Sequence, residues 1–162
     1  MEKEFVRLLN QHPGLLYKVC SLYGPKPEDR EDLFQEIVLQ LWKAYPTFKH
    51  ESSVTTWLYR IALNTAISNY RRKTVRVQAV PFSDSDLQIP DLSDDTLADE
   101  VKALYAAIEH LSPIEKAVIT LYLDDKSYEE MAAIIGISKT HVGVKLNRIK
   151  TKLEKLLKST TR

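Results

Sequence analysis

The 162-residue chain is poor in the residues that most catalytic and cofactor chemistry requires. Its single cysteine, Cys20, cannot form an intramolecular disulfide, and it excludes zinc sites built on two or four thiolates. Four glycines, Gly14, Gly24, Gly136 and Gly143, are too few and too scattered to cradle a phosphate, which sets aside most nucleotide enzymes. No run of about 20 apolar residues exists to span a bilayer. Met1 to Lys3 do not open a signal-like apolar stretch. The expectation is a cytoplasmic protein with no membrane insertion, no metal site, no cofactor and no small-molecule substrate. What is present, 44% hydrophobic and 28% charged residues, suffices for one modest core or two small ones.

The net charge of +1 conceals a pattern. Residues 1–73 carry 11 Lys+Arg against 8 Asp+Glu, residues 74–100 carry 1 against 7, and residues 101–162 carry 11 against 7. Two basic blocks therefore flank an acidic one. Helical periodicity fails from Thr74 to about Asp95, where Pro81, Pro90 and the run Ser83-Asp84-Ser85-Asp86 act as breakers. A linker of roughly 20 residues is longer than loops within a compact domain usually are. The predicted organisation is all-α: two small helical domains, 1–73 and 101–162, joined by a flexible acidic linker, 74–100. The acidity suits either a solvated spacer or a segment lying in the basic channel of a partner.

In the first block, Pro27 at a helix start, Asp29 and Glu31 in the first turn and Pro46 past the end predict a helix of about 17 residues. Leu33, Phe34, Ile37, Val38, Leu41 and Tyr45 fall on its apolar side, and Asp32, Gln35, Glu36, Leu39 and Lys43 on the other. That second side is either a solvated face with one stray leucine or a docking face anchored by Leu39, with the acids setting register against a basic partner. A second helix is predicted from about Val54, capped by Ser52 or Ser53, to Arg71-Arg72-Lys73. Trp57, Leu58 and Ile61 lie on one side of it and Tyr59, Leu63, Ile67 and Tyr70 on another, while Arg60, Asn64 and Arg71 share a polar stripe. Such a helix is either sandwiched in a bundle, with Trp57 and Tyr59 in the core, or presents aromatics beside cations to nucleic acid. The loop Thr47–Ser53 between the two helices could hydrogen-bond the edge of a flipped base.

In the last block, Ser112-Pro113-Ile114-Glu115 and Ser127-Tyr128-Glu129-Glu130 are capping boxes. The second opens a helix of about eight residues ending at Gly136, and Ser138 caps the next. Lengths, caps and turn glycine together predict a DNA-binding helix-turn-helix. In its last helix Val142, Leu146, Ile149, Leu153 and Leu156 face the core, while Thr140, Val144, Asn147, Arg148 and Thr151 point outward. Lys139, Lys145, Lys150 and Lys152 flank that face, and no acid occurs between Ser138 and Lys152, a composition that favours a polyanion. In a major groove Arg148 can reach guanine, Asn147 adenine and Val144 a thymine methyl, with the lysines adding affinity but little discrimination. Gly143 either permits close approach or is merely tolerated.

Taken in order, these motifs resemble a known family. Asp32-Leu33-Phe34-Gln35-Glu36, Thr56-Trp57-Leu58-Tyr59-Arg60-Ile61-Ala62-Leu63-Asn64 and Arg71-Arg72-Lys73 resemble region 2 of bacterial sigma factors. Leu111-Ser112-Pro113, Ser127-Tyr128-Glu129-Glu130-Met131-Ala132 and Val142-Gly143-Val144-Lys145-Leu146-Asn147-Arg148 are similar to region 4. Two such regions and a linker, covering nearly the whole chain, resemble the extracytoplasmic-function (group 4) members. The resemblance implies a non-enzymatic promoter-specificity subunit that binds core RNA polymerase and helps to melt promoter DNA. Asp32, Gln35, Glu36 and Leu39 would dock on the clamp coiled coil of the polymerase, and region 4 on its flap. Lys49, His50, Glu51, Ser52 and Ser53, with Trp57, Arg60, Asn64, Arg71, Arg72 and Lys73, would meet the −10 element. Lys139, Thr140, His141, Val144, Lys145, Asn147 and Arg148 would meet the −35 element. An anti-sigma protein usually restrains such factors, and the linker would run toward the RNA exit channel. Gly143 and Val144 depart from the polar or basic residues of many members.

Two rival readings fit less of the chain. A free-standing helix-turn-helix regulator needs neither Leu39 among acids nor the Arg60, Asn64, Arg71 stripe. A nuclease needs clustered ligands or acids, whereas His12, His50, His110 and His141 are dispersed.

Overall fold

The structure is a computed structural model and describes residues 1–50, 53–77 and 98–160. The described residues contain eight α-helices and no strand. The chain divides into two units, Met1–Ile89 and Pro90–Arg162.

The first unit is built on three helices, α2 (Pro13–Tyr23), α3 (Pro27–Ala44) and α4 (Val54–Val77), each in contact with the other two. Pro at the first position starts α2 and α3, where its missing N–H is no loss. Between them Gly24 permits a close approach: a Cβ there would stand 2.9 Å from the Arg30 backbone nitrogen. Arg30 closes the corner by donating from Nε to the Gly24 carbonyl at 2.8 Å. Leu16, Val19 and Cys20 from α2, Leu33, Ile37 and Leu41 from α3, and Leu58, Ala62 and Ala66 from α4 make the buried core. A short N-terminal helix, α1 (Glu2–Asn10), attaches through buried Phe5, whose ring meets Trp42 edge-on at 5.0 Å and Tyr45 at 5.3 Å.

Two expectations change here. Phe34 is exposed rather than buried, because the arc covered by α2 and α4 centres on Leu33, Ile37 and Leu41 and leaves Phe34 beyond its edge. The helix expected to end at Lys73 continues to Val77, so Thr74–Val77 are helical and not linker. Their polar and β-branched residues contain no breaker, and the prolines lie further on. At the other side the next helix, α5 (Asp99–Ile108), already begins at Asp99. The expected features at Pro81, Pro90 and 83–86 fall outside the described residues.

In the second unit α5, α6 (Pro113–Leu123) and α7 (Tyr128–Ile135) all pack on α8 (Lys139–Thr160). Both predicted capping boxes form. The Glu115 amide donates to Ser112 Oγ at 3.2 Å and the Ser112 amide to Glu115 Oε1 at 2.9 Å. The Glu130 and Ser127 pair does the same at 3.1 and 3.0 Å. Helix α7 stops at Gly136, whose φ of 86° is left-handed and suits glycine. Ser138 then starts α8 by accepting from the His141 amide at 3.1 Å. Val142, Leu146, Ile149 and Leu153 of α8 are buried, as are Val118 and Leu121 of α6 and Met131 and Ile134 of α7, the helices that pack on it.

Candidate nucleic-acid interface

Three surfaces carry the residues singled out from the sequence. The first is the outer face of α3. Asp32, Gln35 and Leu39 are exposed there, and Glu36 is half-buried, accepting from Gln40 Nε2 at 3.3 Å. Trp42 joins Leu39 as a large exposed apolar side chain about 60° around the axis, while Phe34 is exposed about 140° from Leu39, on another side of the helix. Two bulky apolar groups beside carboxylates have the composition of a docking surface more than of a solvated one.

The second surface is the loop before α4 and the polar line of that helix. The loop opens with a 3-10 turn, Tyr45–Thr47, and ends at Ser53. Ser53 Oγ accepts from the Thr56 amide at 3.1 Å and donates to Thr56 Oγ1 at 2.9 Å, so Ser53 is the cap and its proton is already engaged. Lys49 and His50 are exposed, while Glu51 and Ser52 lie outside the described residues. His50 has a φ of 58°, uncommon for a residue with a side chain. Trp57, expected to meet the −10 element, is a buried residue in this structure. It is 7% exposed, and its ring is stacked against Phe48 with centroids 4.5 Å apart and planes at 16°. Tyr59 is 1% exposed, so α4 is the sandwiched helix of the two alternatives. Asn64, Arg71 and Arg72 are exposed and Arg60 half-buried. Arg60, Asn64 and Arg71 form a line about 16 Å long on one side of α4, with Arg72 about 120° around from Arg60. Lys73 lies in the helix, but its side chain is outside the described residues.

The third surface is α8. Thr140, His141, Val144, Asn147, Arg148 and Thr151 are exposed, and Lys145 is half-buried. Asn147, Arg148, Thr151, Lys152 and Lys155 line a shallow depression of about 360 Å³. Lys155, seven residues after Arg148 and on the same line, belongs to this face although sequence reasoning omitted it. The Thr151 hydroxyl donates to the Asn147 carbonyl oxygen at 3.1 Å, so it shapes the face and does not donate from it. Helix α8 lacks carboxylates over this stretch, yet neighbours supply them: Lys139 pairs with Glu129 at 3.3 Å and Lys152 with Glu115 at 3.1 Å. Lys150 Nζ lies 3.2 Å from the Tyr122 hydroxyl and 4.4 Å from the centre of its ring. Burial raises the Glu115 carboxyl, but hydrogen bonds from Ser112 and the charge of Lys152 outweigh it and hold it below the usual value. The Lys139 pair is exposed, so phosphate can displace its carboxylate at small cost. A Cβ on Gly143 would meet Tyr128 at 3.5 Å, an ordinary contact, so packing within this unit does not require glycine.

Both units, the one with the helix-turn-helix and the one with the basic helix α4, are similar to known families. Residues 8–76 match the Sigma-70 region 2 family, and residues 102–153 match Sigma-70, region 4. SigX of Bacillus subtilis (strain 168), an ECF RNA polymerase sigma factor, is 30% identical over a match covering 88% of this chain and 77% of SigX. The chain belongs to the ECF sigma factors. Similarity extends to SigG of Mycobacterium tuberculosis (strain ATCC 25618 / H37Rv), 37% identical, where 78% of this sigma factor spans 41% of the relative's length. Among solved structures, the sigma factor RpoE from Bartonella quintana, in complex with the anti-sigma factor NepR, superposes with a TM-score of 0.74 at 25% identity. That match covers 97% of this chain and 96% of RpoE. CnrH, in complex with the cytosolic domain of CnrY, shares the fold with a TM-score of 0.69 at 23% identity, over 98% of this chain and 90% of CnrH. No helix among the described residues of this sigma factor is long and apolar enough to cross a membrane.

Proposed function

We propose that this sigma factor directs core RNA polymerase to particular promoters in the cytoplasm and assists strand separation there, with no covalent chemistry of its own. The observation that carries the reading is the presence, in one chain, of two exposed cationic helix faces of different kinds. Helix α8 presents Val144, Asn147 and Arg148, the side-chain types that read base edges in a major groove. Helix α4 presents a cationic line behind a short loop, which suits a strand being pulled from its partner. In this reading residues 1–73, extended through Val77, act at the −10 element, and residues from Asp99 onward act at the −35 element. Residues between them serve as the acidic linker. Lys49, His50 and Ser53, with Glu51 and Ser52, approach the flipped base, while Arg60, Asn64, Arg71, Arg72 and Lys73 hold the strand. Lys139, Thr140, His141 and Lys145 position α8 on the duplex for the readers.

The outer face of α3 docks on the clamp coiled coil of the polymerase, with Leu39 as the apolar anchor and Asp32, Gln35 and Glu36 facing basic residues. The second unit meets the flap. An anti-sigma protein is the expected inhibitory partner, as RpoE and CnrH are each bound to a protein in their solved structures.

Binding core polymerase to the full chain and then transcribing promoter DNA tests this reading. Asp32→Ala combined with Glu36→Ala weakens assembly with core while the variant melts normally, and unchanged core affinity would remove the clamp assignment. In the same assay Arg148→Ala lowers −35-dependent initiation by about 1–3 kcal/mol of recognition. Equal loss on promoters with scrambled upstream elements would reduce Arg148 to a phosphate contact.

A further inference from the structure

Three lysines beside the reading face of α8 are held by side chains of other helices, and the three holds differ in kind. Lys152 meets Glu115 at 3.1 Å, where the acid's side chain is 22% exposed and the same Oε1 also accepts from the Ser112 amide at 2.9 Å. That carboxylate closes the capping box of α6, so it stays in place whatever Lys152 does. Lys150 rests on the ring and hydroxyl of Tyr122, which supplies no carboxylate. Lys139 and Glu129 stand apart from both. They meet at 3.3 Å with side chains 62% and 78% exposed, and among the described residues neither makes another side-chain hydrogen bond or ion pair. The adjacent acid, Glu130, already serves the capping box of α7, so the Glu129 carboxylate is not tied to the start of that helix. It is free to leave.

Position gives this pair its meaning. Lys139 is the first residue of α8, and in a helix-turn-helix the N-terminal residues of the second helix lie closest to the DNA. A carboxylate 3.3 Å from Lys139 therefore stands where a backbone phosphate would. Both are oxyanions that seek the same ammonium, and the one left over repels the other. We propose that Glu129 is a built-in competitor of the DNA backbone: it occupies Lys139 in the free factor, is displaced when the duplex arrives, and so lowers affinity for every duplex by a similar factor. This rests on the proposed placement of α8 on the −35 element and adds a restraint to it. Attraction between lysine and phosphate carries no sequence information, and neither does its cancellation. Discrimination stays with Val144, Asn147 and Arg148, while the sequence-independent share of binding shrinks. The other use open to a carboxylate in a groove, accepting from a cytosine amino group, would make its effect depend on the base.

The test uses holoenzyme assembled from core polymerase and the full chain. It measures closed-complex affinity, at a temperature too low for strand opening, on a promoter duplex and on the same duplex with its −35 element scrambled. Glu129→Gln is expected to bind both about two- to fivefold more tightly, the range that an exposed ion pair supplies. Its thermal stability should not rise, because an acid in the first turn favours a helix N-terminus, so the tighter binding cannot come from a firmer fold. Lys139→Gln is expected to bind both duplexes more weakly by a similar factor. In that background the gain from Glu129→Gln should vanish, since the acid acts through the lysine. Unchanged or weaker binding by Glu129→Gln would overturn the proposal, as would a gain that follows base sequence or one that persists without Lys139. If wild-type holoenzyme bound the two duplexes equally, the placement of α8 on the −35 element would fall as well, so the two failures are distinguishable.

Discussion

The two units reach similar helical ends by different means. In the second, α6, α7 and α8 each begin at a serine whose hydroxyl accepts a backbone amide within the first turn. In the first, α1, α2 and α3 begin with no side-chain cap, and among its helices α4 is the one closed by a serine hydroxyl. What the first unit has instead is the ring series from Phe5 to His50 and a central helix buried on two sides. Helix starts in the second unit are thus set by serine caps on amides three residues on, whereas in the first α2 and α3 start at prolines and the loop before α4 is held by rings that meet only after folding. A locally specified reader suits a fixed double helix, whereas a unit organised by long-range ring packing can hold an unusual loop conformation ready for a single strand.

The largest effect should come from cutting the ring series. Trp57→Ala removes a buried ring that meets both Phe48 and Tyr45, and should cost about 3–5 kcal/mol in the melting of the first unit. Calorimetry of the full chain should show that transition falling while the second holds. Ser127→Ala, the matching cut in the second unit, should cost about 1 kcal/mol, because one cap is lost while the core of α7 remains. A loss near that of Trp57→Ala would erase the contrast between the units. Gly143→Ala should stabilise the second unit by up to about 1 kcal/mol, since helix propensity improves and Tyr128 offers only an ordinary contact. If duplex binding falls while stability rises, glycine is there for the DNA.

The smallest effect is one of pH. The Glu130 carboxyl is held below its ordinary value of 4.5 mainly by the Ser127 amide and hydroxyl. A depressed carboxylate contributes stability that is complete above the ordinary value and is lost as pH falls through the lower folded value. Glu130→Gln should therefore flatten the acid limb of the second unit's melting temperature, and an unchanged slope would show the box to be inert in acid.

Legibility followed the same division. Ser112, Ser127, Gly136 and Ser138 announced the helix-turn-helix, because each satisfies or frees a backbone group within its own neighbourhood. The length of α3 was legible for the same reason, bracketed by Pro27 and Pro46. Helices α1 and α2 have no comparable signal at their starts beyond Pro13. The exposure of Phe34 and the burial of Trp57 depend on which neighbours cover them, and a one-dimensional apolar pattern does not contain that information. The left-handed backbone at His50 was hidden because histidine has no special demand for it, unlike glycine at Gly136. On α8 the outward residues followed from helical arithmetic, but the carboxylates of Glu115 and Glu129 reach its lysines from other helices.

Cys20 has one more consequence. The residue is 3% exposed, and burial pushes the thiol pKa up to about 11, so near neutrality the sulfur is a shielded thiol. As the sole cysteine it also has no resolving thiol in the chain. Thiol chemistry at Cys20 therefore requires the first unit to open first.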